Sequence, residues 1–197
     1  MTTMSGLRER KKEATRLALH EAALRLALEH GIEHVTVEAI AEAADVSRRT
    51  FSNHFSSKEE AVVYGDAVKL RQVIQAVREQ PDMSPVWEAL TRVAQDLLAS
   101  GIDEADQREW VARRELRMHP ALVPYRAAAY STLERDLAAE VARRLTGADI
   151  TLRSRVLAAS FLTVMRVALL HWYANPDLSR NDVVAVALAC AAPATPR

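Results

Sequence analysis

The chain has 197 residues, long enough to bury a core without disulfide staples, and its one cysteine, Cys190, cannot form an internal bridge, which suits a reducing cytoplasm. Hydrophobic residues make up 49% but aromatic residues only 5%, with five glycines, a balance that favours helix over sheet. The formal net charge is zero, which excludes bulk basicity as a source of nucleic-acid affinity, and neither an N-terminal apolar leader nor an uninterrupted apolar run of membrane-spanning length is read.

Helix punctuation organises the rest. A first helix is expected over residues 9–30, with Leu17, Glu21, Leu24 and Leu28 spaced as one face and Gly31 as a left-handed C-cap. Thr36 caps a second, 37–44, with Glu38 in its positive first turn. Asp45 and Val46 form a tight turn, and Ser47 caps a third, 48–55. Ser56 and Ser57 each stand three residues before a glutamate, so either register offers a capping box to a fourth helix, 58–80. Residues 81–85 are a break, and Ser84 caps a fifth helix that carries Val86, Leu90, Val93 and Leu97 and ends before Gly101. A sixth starts at Asp103 or Glu104 and runs to Met118. His119 and Pro120 interrupt the chain, and a seventh helix reaches about residue 145. An eighth spans 152–174, and a ninth, capped by Ser179, runs to about residue 191, with a frayed tail from Pro193. No strand-like alternation appears, so the expected fold is all-α with about nine helices.

The first functional signal lies in residues 36–60. Two short helices joined by about three residues cross steeply, the helix-turn-helix arrangement. Ile40, Ala41, Ala44, Val46, Phe51 and Phe55 fall where these helices and the first must meet. The outward positions are Arg48, Arg49, Ser52 and Asn53, followed by Lys58, donors suited to base edges and phosphates. A solvated face on an ordinary helical hairpin fits the same residues. Charge is placed rather than abundant: residues 1–60 hold nine Lys/Arg against ten Asp/Glu, yet 46–58 contain no acid. A second basic cluster is Arg8, Arg10, Lys11, Lys12 and Arg16.

Residues 8–60, and specifically TVEAIA at 36–41, ADVS at 44–47, TF at 50–51 and HFSSKE at 54–59, resemble the N-terminal domain of the TetR family of transcriptional regulators. The resemblance implies a helix-turn-helix domain over 1–57, a larger helical ligand-binding and dimerisation domain over 58–197, and a homodimer on a double-stranded, palindromic operator. Carried over by position, Thr36 brings the second helix to a phosphate, and Ser47, Arg48, Arg49 and Thr50 open the recognition helix. Arg48 or Arg49 is the candidate for a bidentate guanine contact. Asn53 reads adenine, touches phosphate or simply faces solvent, His54 packs or touches phosphate, and Lys58 is a phosphate contact. The segment 8–12 is either an arm toward the duplex or disordered. Two departures stand out: Asp45 occupies a position that is usually glycine, and Ser52 one that is usually aromatic, where its shorter reach still allows a phosphate contact.

The C-terminal part shows no glycine-rich phosphate loop, no HExxH and no Cys/His pair at metal spacing, so no catalytic residue, cofactor or metal is expected. His30 and His34 are four apart, but Gly31 breaks the helix between them. His119 is expected to cap a helix end. Helices eight and nine are apolar nearly all round, which fits either a homodimer seam over residues 152–191 or a helix buried in a monomer; the resemblance implies the seam. It also implies a cavity, for which Trp87, Leu90, Trp110, Met118, Leu122, Phe161 and Met165 are the bulky apolar candidates, though the same residues at helical spacing fit plain core; Arg113 and Arg114 are either a charged handle or solvated. HPAL at 119–122, with Trp172, is similar to a subgroup assigned acyl-CoA-like ligands. The expectation is a cytoplasmic, sequence-specific regulator, a repressor released by a small hydrophobic or acyl-CoA-like effector, with no membrane partner. The alternative is a helical small-molecule carrier or enzyme without DNA binding.

Overall fold

Capping side chains set several of the helix starts, among them those after Thr36, Ser47, Ser57 and Ser179. The computed structural model describes residues 3–80, 85–100, 107–175 and 177–192, and all regular structure among them is helical. In chain order the helices are α1 (Thr3–His30), α2 (Val37–Ala43), α3 (Arg48–His54), α4 (Lys58–Glu79), α5 (Val86–Ser100), α6 (Gln107–Met118), α7 (Val123–Ala142), α8 (Ile150–Ala174) and α9 (Arg180–Cys190). Short 3-10 turns at Ile32–His34 and Pro120–Leu122 precede α2 and α7. The caps expected at Ser84 and at Asp103 or Glu104, and the tail from Pro193, lie outside the described residues.

Two details differ from the sequence reading, and a third decides between two alternatives it left open. α1 starts six residues early, so Arg8, Arg10, Lys11 and Lys12 stand exposed on a helix rather than on an arm or a disordered tail. Gly31 has φ 81° and ψ 145°, a positive-φ conformation with extended ψ and not a left-handed helical cap, a region that essentially only glycine enters. Of the two capping-box registers, Ser57 is used: its hydroxyl accepts from Glu60 N–H at 3.1 Å. The Glu60 carboxylate accepts from Ser56 N–H and Oγ–H at 2.7 Å each.

The boundary expected after residue 57 is not where compactness divides the chain. One unit joins Met1–Asp66 with Ala105–Ala127; the other joins Ala67–Glu104 with Ala128–Arg197. In the first, Leu19, Ile40, Phe51 and Phe55 are at most 2% exposed, and α6 packs against α1. Truncating either phenylalanine would cost about 3–5 kcal/mol. In the second, Trp87, Leu90, Leu137, Val141, Phe161 and Val184 share one core, and α9 packs on both α5 and α8. By length and composition α8 could cross a membrane. Here it gives Ala158, Phe161, Leu162 and Ala168 to that core instead.

Candidate nucleic-acid interface

The Thr36 hydroxyl accepts from Ala39 N–H at 3.1 Å, and the Ser47 hydroxyl from Thr50 N–H at 3.0 Å, so both short helices have a fixed first turn. Such a cap is worth about 1 kcal/mol, which matters for seven-residue helices that cannot persist alone. Between them Asp45 adopts φ 53°, the left-handed conformation usually filled by glycine. Val46 N–H closes the turn on Ala41 O at 2.9 Å.

α3 is divided by these constraints into two faces. Phe51 is buried, and Phe55, just past the helix end, is buried beside it with ring centroids 5.8 Å apart. Ser47, Arg48, Arg49, Ser52 and Asn53 are exposed, while Thr50 and His54 are half-buried. The outward donors anticipated from sequence therefore share one solvent-facing surface, Ser52 included. Across the helix pair, Arg48 Nη1 donates to Glu38 of α2 at 2.9 Å. Among the described residues Arg49 has no such carboxylate.

Lys58, expected to contact phosphate, is engaged within the fold. Its ammonium donates to the carbonyls of Ile32, Glu33 and Val35 at 2.8, 3.3 and 2.9 Å. An ammonium has three donors, and all three are committed to the corner between α1 and α2. His54 is also constrained. Its Nδ1 is buried without a hydrogen-bond partner among the described residues. Burial first, then the Arg16 and Lys12 charges, hold its pKa below the ordinary histidine value against the opposing pull of Glu13. The ring is therefore neutral near pH 7 and adds no cation to the surface.

The support behind this surface was not visible in the residue pattern. His20, buried on α1, donates from Nδ1 to Ala61 O at 2.8 Å and meets Tyr64 edge-on. Gly65 is the close approach that admits the ring, since a Cβ there would lie 2.4 Å from His20 Nε2. Arg16 lies over the rings of Phe55 and Tyr64, 5.0 and 4.5 Å from their centroids. Asp66 is clasped by Arg117 at 2.5 Å and Arg126 at 3.1 Å, with all three side chains about four-fifths buried. Burial raises the Asp66 carboxyl pKa, and the two arginines together more than reverse this, leaving it below the ordinary value. His119 caps a helix end as expected, the start of the 3-10 turn before α7: its Nδ1 accepts from Ala121 N–H at 3.3 Å. The proton then sits on Nε2, which donates to Glu33 at 2.5 Å.

The expected pocket residues do not behave as one group. Trp87, Leu90, Phe161 and Met165 belong to the second unit, where the first three are core residues and Met165 packs against them. The Trp87 indole N–H is spent on Leu188 O at 3.3 Å. Arg114, Met118 and Leu122 belong to the first unit, where Leu122 is fully buried and Met118 is 53% exposed. Arg114 is exposed, and the side chain of Trp110 lies outside the described residues. A surface concavity of about 790 Å³ is lined by different residues, among them Glu134, Leu152, Arg155 and Val156.

Residues 19–62 match the family described as bacterial regulatory proteins, tetR family, and residues 84–196 match one described as the MftR C-terminal domain. The chain is 33% identical over 193 residues to the HTH-type transcriptional regulator TcmR of Streptomyces glaucescens, covering 93% of this chain and 83% of that one. It is 27% identical over 180 residues to MftR of Mycobacterium tuberculosis, named for mycofactocin biosynthesis, covering 90% and 89%. The crystal structure of the multidrug binding protein EbrR with ethidium shares the fold, with a TM-score of 0.56 at 17% identity over 91% and 99% of the two chains.

Proposed function

Since the chain belongs to the TetR family of DNA-binding transcriptional regulators, we propose that it is a homodimeric repressor released from its operator by a small hydrophobic ligand. The observation that carries this is the exposed face of α3, where Arg48, Arg49, Ser52 and Asn53 stand on a helix that Ser47 caps and Phe51 anchors. Ser47, Arg48, Arg49, Thr50, Ser52 and Asn53 are assigned to the major groove and its flanking phosphates, and Thr36 to a phosphate at the start of α2. His54 contributes as a neutral donor or by packing, and Lys58 by holding the corner behind α2.

Dimerisation is assigned to α8 and α9. Leu152, Val156 and Val167 of α8 are 64%, 54% and 51% exposed at the spacing of one helix face, and Val186 of α9 is 64% exposed. A two-fold partner over residues 152–191 would cover this stripe and place two copies of α3 at half-sites one DNA turn apart. A ligand that favours a conformation with mismatched spacing lowers operator affinity by its differential binding to the two states. α4 supplies a continuous route for such a change, because its first turns belong to the first unit and the remainder to the second. The protein acts where the DNA is, in the cytoplasm, and as a regulator rather than an enzyme.

The test is a gel shift of the purified protein on the DNA upstream of its own gene, followed by operator selection from random DNA. Both are repeated with acyl-CoAs, ethidium and other lipophilic compounds present. Binding to a two-fold site that one of these weakens is expected. Failure to bind any DNA at low salt refutes a DNA regulator and favours a helical carrier. A monomer by sedimentation refutes the seam.

A further inference from the structure

Arg48 and Arg49 are adjacent and both exposed, so sequence cannot say which one reads a base. The structure separates them by one contact: Arg48 Nη1 is held by the carboxylate of Glu38 at 2.9 Å, and no carboxylate among the described residues holds Arg49. The pair bridges α2 and α3, the two helices of the helix-turn-helix, and its side chains are 73% and 59% exposed. In water such a pair adds little stability. Beside a nucleic acid it has a different consequence.

On the reading that α3 enters the major groove, we infer that Glu38 is a positioning residue that presents Arg48 to a guanine, leaving Arg49 to the backbone. A guanidinium carries five N–H donors in a planar fork, so one Nη1–H on Glu38 leaves an edge free for guanine O6 and N7. Holding that plane in advance removes rotamer freedom that Arg48 would otherwise lose on docking. Exclusion of water from the groove strengthens the Glu38 bond at the moment it is needed. Glu38 also acts against phosphate. Its charge offsets that of Arg48, so the nonspecific, salt-sensitive attraction of this arginine for the backbone is reduced while its directional bond to a base is kept. The predicted result is a larger ratio of specific to nonspecific affinity rather than tighter binding overall.

The experiment uses full-length protein and the operator obtained by selection, together with all single base-pair variants of that operator and a random duplex. Arg48→Ala is expected to lose roughly five- to hundred-fold discrimination at one guanine position. Glu38→Ala is expected to lose discrimination at that same base pair. It should also bind the random duplex more tightly, with a salt slope steeper by about 0.9 as the released arginine turns to phosphate. Glu38→Gln, which keeps an acceptor without the charge, should fall between. The Glu38→Ala, Arg48→Ala double variant should discriminate no worse than Arg48→Ala alone, and Arg49→Ala should leave that base pair untouched. Unchanged base preference in Glu38→Ala, or a loss at a position Arg48→Ala does not affect, overturns the positioning role. Absence of DNA binding by the wild-type protein overturns the regulator assignment itself.

Discussion

Replacing Lys58 by methionine separates two tasks that a lysine at this position could have. Methionine keeps most of the apolar stem and removes the ammonium. The three carbonyls it leaves, on Ile32, Glu33 and Val35, lose bonds of 2.8, 3.3 and 2.9 Å. Hydrogen bonds to charged groups contribute about 1.5–3 kcal/mol each by mutation. The longest of the three adds little, and water can reach part of this corner once the ammonium is gone. The expected loss is therefore about 3 kcal/mol. For a chain of this size that is a fall in Tm of about 6–12 °C. DNA affinity should drop as the corner behind α2 loosens, but the slope of log affinity against log salt should stay at its wild-type value, since no phosphate contact has been removed. The assays are thermal and urea unfolding, with salt titrations of operator binding alongside. An unchanged Tm together with a slope flatter by about one unit would refute the carbonyl assignment and return Lys58 to the phosphate backbone.

Three more outcomes are expected. Gly65→Ala should destabilise by about 1–3 kcal/mol in chemical unfolding, because its Cβ would meet His20 at 2.4 Å and that ring is held by Ala61 O and Tyr64; a neutral effect would mean the ring has somewhere to go. Asp66→Asn should cost about 3–5 kcal/mol by leaving Arg117 and Arg126 without their buried carboxylate. Asp66 has a lower pKa folded than unfolded, so its contribution is complete above the ordinary value of 3.8 and is lost as pH falls through that value and below. Wild type should accordingly lose stability on acidification in that window, and Asp66→Asn should lack that part of the loss. Asp45→Gly should shift stability by less than about 1 kcal/mol with operator binding retained, since relief of the φ 53° conformation is offset by a floppier unfolded chain, whereas Asp45→Val should lower Tm.

Much of the candidate interface is legible in sequence because its determinants are local. Thr36 reaches Ala39, Ser47 reaches Thr50 and Ser57 reaches Glu60, each across three residues, and Asp45 tolerates its own left-handed turn. Those bonds depend on no distant partner, so residue type and spacing are enough to place α2, the turn and α3 and to leave Arg48, Arg49, Ser52 and Asn53 outward. Helical spacing likewise marks α8 and α9 as apolar beyond one core stripe, though not which stripe the fold keeps for itself.

Tertiary structure decided what the polar side chains with distant partners do. Lys58 meets carbonyls 23 to 26 residues away, and Glu38 selects Arg48 over its neighbour through a contact between two helices. The Gly65 approach to His20 and the Asp66 clasp join helices distant in the chain, and the His119 bond to Glu33 does the same for a helix corner. The candidates Trp87, Leu90 and Phe161 went into a core, while Leu122 fell in the other unit. The physical reason is the range of the forces. Capping and turn preferences act within a few residues and can be read along the chain. A charged or aromatic side chain instead settles on whichever donors, acceptors and rings the packed helices bring within about 3–6 Å, and only the folded chain fixes that neighbourhood.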